Sequence, residues 1–100
     1  VEYEQVGVEH AVYTMFSSGT TGMPKCMQQG FGVAVTHLKE LRLHFDITEN
    51  DNFLQYTTTG WMMWNYQLSA LATGATLVLY EGDPMTPSPQ ALYDVLEHSR

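Results

Sequence analysis

"FSSGTTGMPK", residues 16–25, sets the reading of this chain. Two serines, two threonines and two glycines crowd into a few positions, and Pro24 then delivers Lys25. The stretch follows "HAVYTMFS" (10–17), a β-rich apolar run that reads as a buried strand. Gly19 and Gly22 can take positive φ without strain, so successive backbone N–H groups can turn toward one centre and form an anion nest. Ser17, Ser18, Thr20 and Thr21 add hydroxyl donors, Pro24 stiffens the exit, and Lys25 supplies a charge that can reach a phosphate oxygen. The Walker pattern G-x-x-x-x-G-K-[ST] fails, because the glycines stand three apart and the lysine follows proline. A tight, exposed glycine-rich turn with a surface lysine is the plain alternative.

Composition narrows the classes. The chain has 100 residues, 44% of them apolar, which suits one compact globular unit. Its formal net charge is −7, and its cations are Lys25, Lys39, Arg42 and Arg100. Nothing there clusters as a nucleic-acid binder requires. A lone lysine beside a Gly/Ser/Thr loop points instead to one local anion. Cys26 is the single cysteine, so no internal disulfide can form, and a reducing, cytoplasmic compartment is the simpler expectation. The opening "VEYEQV" has neither a basic n-region nor an apolar h-region, so no signal peptide is expected, and the chain reads as a piece of a longer one.

From Asn52 to Tyr80 no residue is charged, which invites a membrane-spanning reading. Asn65, Gln67, Ser69, Thr73 and Thr76 interrupt that run and Gly74 divides it, so a buried helix and strand of an α/β domain explain it better.

The remaining elements follow from periodicity. "KCMQQ" reads as a short extended segment. "FGVAVTHLKELRLHF" (31–45) puts Ala34, Leu38, Leu41 and Phe45 on one helix face, with His37 and His44 on the wet side. "FLQYT" (53–57) reads as a strand and "TTG" as the turn after it. "WMMWNYQLSALAT" (61–73) reads as a helix buried on most sides, with Gly74 just past its end. "ATLVLY" (75–80) reads as a doubly covered strand. "SPQALYDVLEHS" opens with Ser88 as N-cap and Pro89 at the first helical position. This order predicts an α/β fold, a mostly parallel sheet with right-handed βαβ crossovers. Ligands of such sheets sit at the carboxyl ends of strands, where both the phosphate-type loop and "TTTGW" (57–61) fall.

"SSGTTGMPK" (17–25) resembles the phosphate-binding signature of the adenylate-forming superfamily, which includes acyl-CoA synthetases, luciferases and peptide-synthetase adenylation domains. "HLKE", "YTTTGWMMWN", "LATGATLVLYEGDP" and "TPSPQALYDVLE" resemble the acetoacetate–CoA ligase branch, so the likeness runs from about His10 to Arg100. The resemblance implies part of the large N-terminal, AMP-binding domain over residues 1–100, with the C-terminal domain and its adenylation lysine absent. It implies an acid–thiol ligase of lipid metabolism that uses ATP, Mg2+ held by ligands outside this segment, and coenzyme A. The acid would attack the α-phosphate, and the thiol would then displace AMP. Ser17, Ser18, Gly19, Thr20, Thr21, Gly22 and Lys25 would hold the phosphates, Lys25 as the catalytic charge. Gly60, Trp61 and Met63 would shape the acyl pocket, while Met62 and Trp64 fit pocket and packing equally. Partners would be small molecules only; a ligase for another short acid such as acetate, or a truncated nucleotide-binding module, are the alternatives. The segment by itself is expected to be inactive.

"CMQQGFGVAV" (26–35) departs from the pattern of relatives and is one residue shorter, which touches the local register. Cys26 reads as a small packed side chain, and no histidine or carboxylate spacing here resembles a metal site.

Overall fold

The computed structural model describes residues 1–18 and 22–99; Gly19, Thr20, Thr21 and Arg100 lie outside the described residues. The chain divides into two compact units, Val1–His37 and Leu38–Arg100.

In the first unit, β1 (Ala11–Ser17) pairs antiparallel with β2 (Lys25–Gly30). The register runs from Tyr13 opposite Gln29 to Ser17 opposite Lys25, with an irregularity between Ala11 and Tyr13 where β1 carries one extra residue. The expected buried strand is corrected to a half-buried one. Alternate side chains of β1 face out, Val12 at 51% and Phe16 at 67% exposure, because a strand sends successive side chains to opposite faces. Cys26 is likewise exposed rather than packed, since the first four residues of β2 are all exposed.

α1 (Phe31–Leu43) begins immediately after β2. It is shorter than the expected 31–45: Asp46, at φ 57°, turns the chain, and Phe45 stays outside and exposed. Leu41 is fully buried, and His37 is buried rather than wet.

In the second unit, a clasp leads out of α1. The Asp51 carboxylate accepts from the Thr48 N–H at 2.7 Å and from the Thr48 hydroxyl at 2.8 Å, and these bonds hold its pKa below the ordinary carboxylate value. β3 (Asn52–Phe53) and β4 (Thr76–Leu77) pair in parallel. Both are shorter than the expected strands 53–57 and 75–80. Ladder bonds run only from Thr76 N–H to Asp51 O (3.0 Å) to Val78 N–H to Phe53 O (2.9 Å), and beyond them both segments line a cleft.

Between β3 and β4 lies α2 (Met62–Ser69), continued by a 3-10 turn over Ala70–Thr73. Gly74 ends it at φ 91°, as its position in the sequence implies. A Cβ there would stand 2.8 Å from the Glu49 Cβ, so both backbone and space require glycine. Arg42 donates to the Thr73 carbonyl at 2.7 Å, capping the turn from outside. Leu41, Tyr66 and Ala70 form the core, with Ile47, Phe53, Met63 and Leu77 packed against it. The helix is less enclosed than expected: Leu68 and Leu71 are exposed on its outer face.

α3 (Ala91–His98) starts three residues after Ser88, with Gln90 at the cap position. Ser88 and Pro89 belong to the preceding turn, where the Ser88 hydroxyl accepts from Gln90 N–H and its carbonyl from Ala91 N–H. The fold is α/β, with one antiparallel and one parallel two-stranded sheet.

Candidate functional site

Two places bear on chemistry, one in each unit. In the first unit, β1 and β2 bring the ends of the 17–25 loop together. Ser17 and Lys25 are cross-strand partners, and the Ser17 hydroxyl accepts from the Lys25 N–H at 3.2 Å. Lys25 therefore starts β2 with its backbone fixed and its side chain exposed, and among the described residues it makes no ion pair. Ser18 is also exposed. Gly22 does not use the left-handed region, in which Gly74 is the sole glycine among those described. A Cβ at Gly22 would meet nothing within 4 Å, so the protein's own atoms leave open space beside it. Gly19, Thr20 and Thr21 lie outside the described residues.

In the second unit, the segments leaving the carboxyl ends of β3 and β4 enclose a cleft of about 540 Å3. One wall is Gln55–Thr59, the other Leu79–Gly82, and Trp64 and Gln67 of α2 close it. The Tyr56 and Tyr80 rings stand 6.4 Å apart, and the Tyr56 hydroxyl donates to the Gly82 carbonyl at 3.2 Å, tying wall to wall. Asp83 secures the exit: its carboxylate accepts from Met85 N–H and from the Thr86 hydroxyl, which lower its pKa.

None of Gly60, Trp61 and Met63, the residues expected at the acyl pocket, lines this cleft. Gly60 is exposed in the turn closed by Trp61 N–H to Thr58 O, and the Trp61 ring is 68% exposed at the start of α2. Met63 packs against the Leu41–Tyr66–Ala70 core, whereas Trp64 lines the cleft. Sequence reading left Trp64 open and passed over Gln67, Tyr56 and Tyr80. The signal for Gln67 was a polar side chain in an uncharged, largely apolar helix.

Among the described residues no group of three or more His, Cys, Asp or Glu could hold a metal ion, and no helix is long and apolar enough to cross a membrane.

Residues 2–100 match the AMP-binding enzyme family. The chain is 53% identical over 98 residues to acetoacetyl-CoA synthetase of Mus musculus, a match covering 97% of this chain and 15% of that protein. It is 44% identical over 92 residues to malonamoyl-CoA synthetase of Penicillium aethiopicum, covering 91% of this chain and 13% of that one. Among solved structures, acetoacetyl-CoA synthetase from Streptomyces lividans superposes with a TM-score of 0.92 at 48% identity, covering 97% of this chain and 15% of that one. The chain thus spans about 15% of the length of the curated relatives it matches.

Proposed function

The chain belongs to the AMP-binding enzyme family, and from that premise we propose that it serves an ATP-dependent acid–CoA ligase acting on acetoacetate. The observation that carries this reading is the 53% identity over 98 residues to an acetoacetyl-CoA synthetase. In the proposed reaction a carboxylate oxygen attacks the α-phosphorus of magnesium-ATP, the bond to the bridging oxygen breaks, and pyrophosphate leaves. The thiol of coenzyme A, losing its proton, then adds to the acyl carbon, and AMP departs.

This chain's part is to receive the pyrophosphate. Negative charge grows on the leaving group, and donors already in place stabilise it without reorganising. Lys25 supplies the charge, Ser17, Ser18, Thr20 and Thr21 the hydroxyls, and Gly19 and Gly22 the close approach of backbone. The fixed Ser17–Lys25 neck and the open space at Gly22 support that assignment. Mg2+ enters with ATP and is held by residues beyond this segment. Gly60 and Trp61 are assigned to the acyl side, where their exposure at the start of α2 suits contact with a substrate. Met63, also assigned there, acts through the packing that fixes the helix.

In the intact enzyme we further assign residues 1–100 to the large N-terminal domain, with β3 and β4 inside a larger, mostly parallel sheet. The free, exposed thiol of Cys26 favours a reducing cytoplasm. The malonamoyl-CoA synthetase match favours a second reading, in which the acid carries a different polar group at the same place.

Acetoacetate-dependent exchange of pyrophosphate into ATP by the intact enzyme, followed by thioester formation with coenzyme A, is the test. No exchange with acetoacetate, alongside exchange with another short acid, would overturn the assignment of substrate.

A further inference from the structure

The Gln67 side chain is 1% exposed, yet it lines the cleft. Its Oε1 accepts a hydrogen bond from the Gln55 backbone N–H at 3.1 Å. That bond settles the amide's orientation, because an N–H donor cannot face the NH2 group. The NH2 is therefore turned away from Gln55, and among the described residues no acceptor meets it. A donor on a side chain that is only 1% exposed, that belongs to a cleft wall and is oriented by a backbone bond, is placed to meet an acceptor entering the cleft. The rest of the lining suits a small organic acid: Trp64, Tyr56, Tyr80 and Leu79 offer apolar surface. Glu81 on the same wall disfavours a second negative charge.

We propose that Gln67 is a specificity-determining residue whose NH2 group donates to an uncharged oxygen on the acyl tail, selecting 3-oxo acids over alkyl acids of equal length. The inference rests on the ligase reading above and adds to it the group that recognises the tail. A site built to hydrogen-bond a substrate oxygen rejects the analogue lacking it, because the donor is then buried unpaired.

The experiment uses the intact ligase and compares kcat/KM for acetoacetate with that for butyrate, which has the same chain length and no 3-oxo oxygen. Two variants are measured beside wild type. Gln67→Met keeps the volume and loses both polar groups. Gln67→Glu keeps an acceptor for the Gln55 N–H and loses the donor. In both, the acetoacetate-to-butyrate ratio is expected to fall by about ten-fold to a hundred-fold, through acetoacetate. The Gln67→Glu ratio is read at alkaline pH, where the carboxyl is ionised and has no proton to donate, and its charge there weakens both acids alike. Should Gln67→Met fail to fold, Gln67→Glu alone decides. A folded variant of either kind that keeps the wild-type ratio overturns the proposal and leaves Gln67 as a brace for Gln55. A wild-type enzyme that favours butyrate overturns the substrate assignment itself, and is distinguished by needing no variant.

Discussion

In the hairpin β1–β2 six residue pairs face each other, yet none of its residues is buried. In β3–β4 only two pairs do so, and the unit around them encloses Leu41, Tyr66 and Ala70. The hairpin is specified by backbone bonds, which any side chain but proline can make. The second unit is specified by packing, which depends on particular volumes. One region can therefore expose chemistry without endangering its shape, while the other keeps its shape only by holding side chains in place.

Substitutions can sharpen or break that contrast. Leu41→Ala should have the largest effect, lowering stability by about 2–5 kcal/mol through lost burial and a residual cavity. A urea titration of the intact protein checks it, and a midpoint within error of wild type would deny the second unit its packed core. Lys25→Ala should do the opposite, with melting unchanged and pyrophosphate exchange reduced by about two orders of magnitude, the loss of one preorganised charge. Unchanged exchange in the folded variant would remove the loop from the mechanism.

Gly74→Ala comes next. The positive φ costs about 1–2 kcal/mol for a residue with a Cβ, and the approach to Glu49 adds to it. Gly22→Ala, with open space and no positive φ, should leave the melting temperature alone and lower affinity for ATP. Equal melting losses at the two glycines would erase the difference between the regions.

The smallest effect is expected at the Thr48–Asp51 clasp. The folded carboxylate titrates below its ordinary value of 3.8, so its contribution is present above that value and is lost as pH falls through the lower folded value. Thr48→Ala should melt slightly below wild type at neutral pH, with the gap closing as the solution is acidified below that range. A gap that widens on acidification would contradict the clasp.

The succession of elements was legible because period and punctuation are local properties. Gly74 stood where a helix needs a left-handed end. Pairing was harder to see. Two β-rich runs separated by a short Gly- and Pro-containing loop are a hairpin signal, yet the alternation of strands and helices drew attention to parallel crossovers. Strand length was overstated at 53–57 and 75–80 because β-propensity marks residues that suit a ladder, while the ladder itself depends on a partner. His37 looked wet because nothing in the helix's own period distinguishes a covered polar position from an exposed one. The cleft lies beyond the carboxyl ends of β3 and β4, where topology puts ligands, but which side chains close it was not legible, since Met63 and Trp64 are adjacent in sequence and face differently.

The neck formed by Ser17 and Lys25 has a thermodynamic corollary. It joins the ends of a short excursion of chain, and the entropy lost in closing such a loop grows only with the logarithm of its length. The register from Tyr13 to Ser17 imposes that loss once, when the hairpin forms, and anything the loop holds afterwards meets ends already joined. For a flexible loop each doubling of length adds only about 0.6 kcal/mol to that cost. The hairpin is thus nearly indifferent to the length of the strap it carries. Its length is free to be set by whatever the strap holds, and the fold exerts almost no opposing pull.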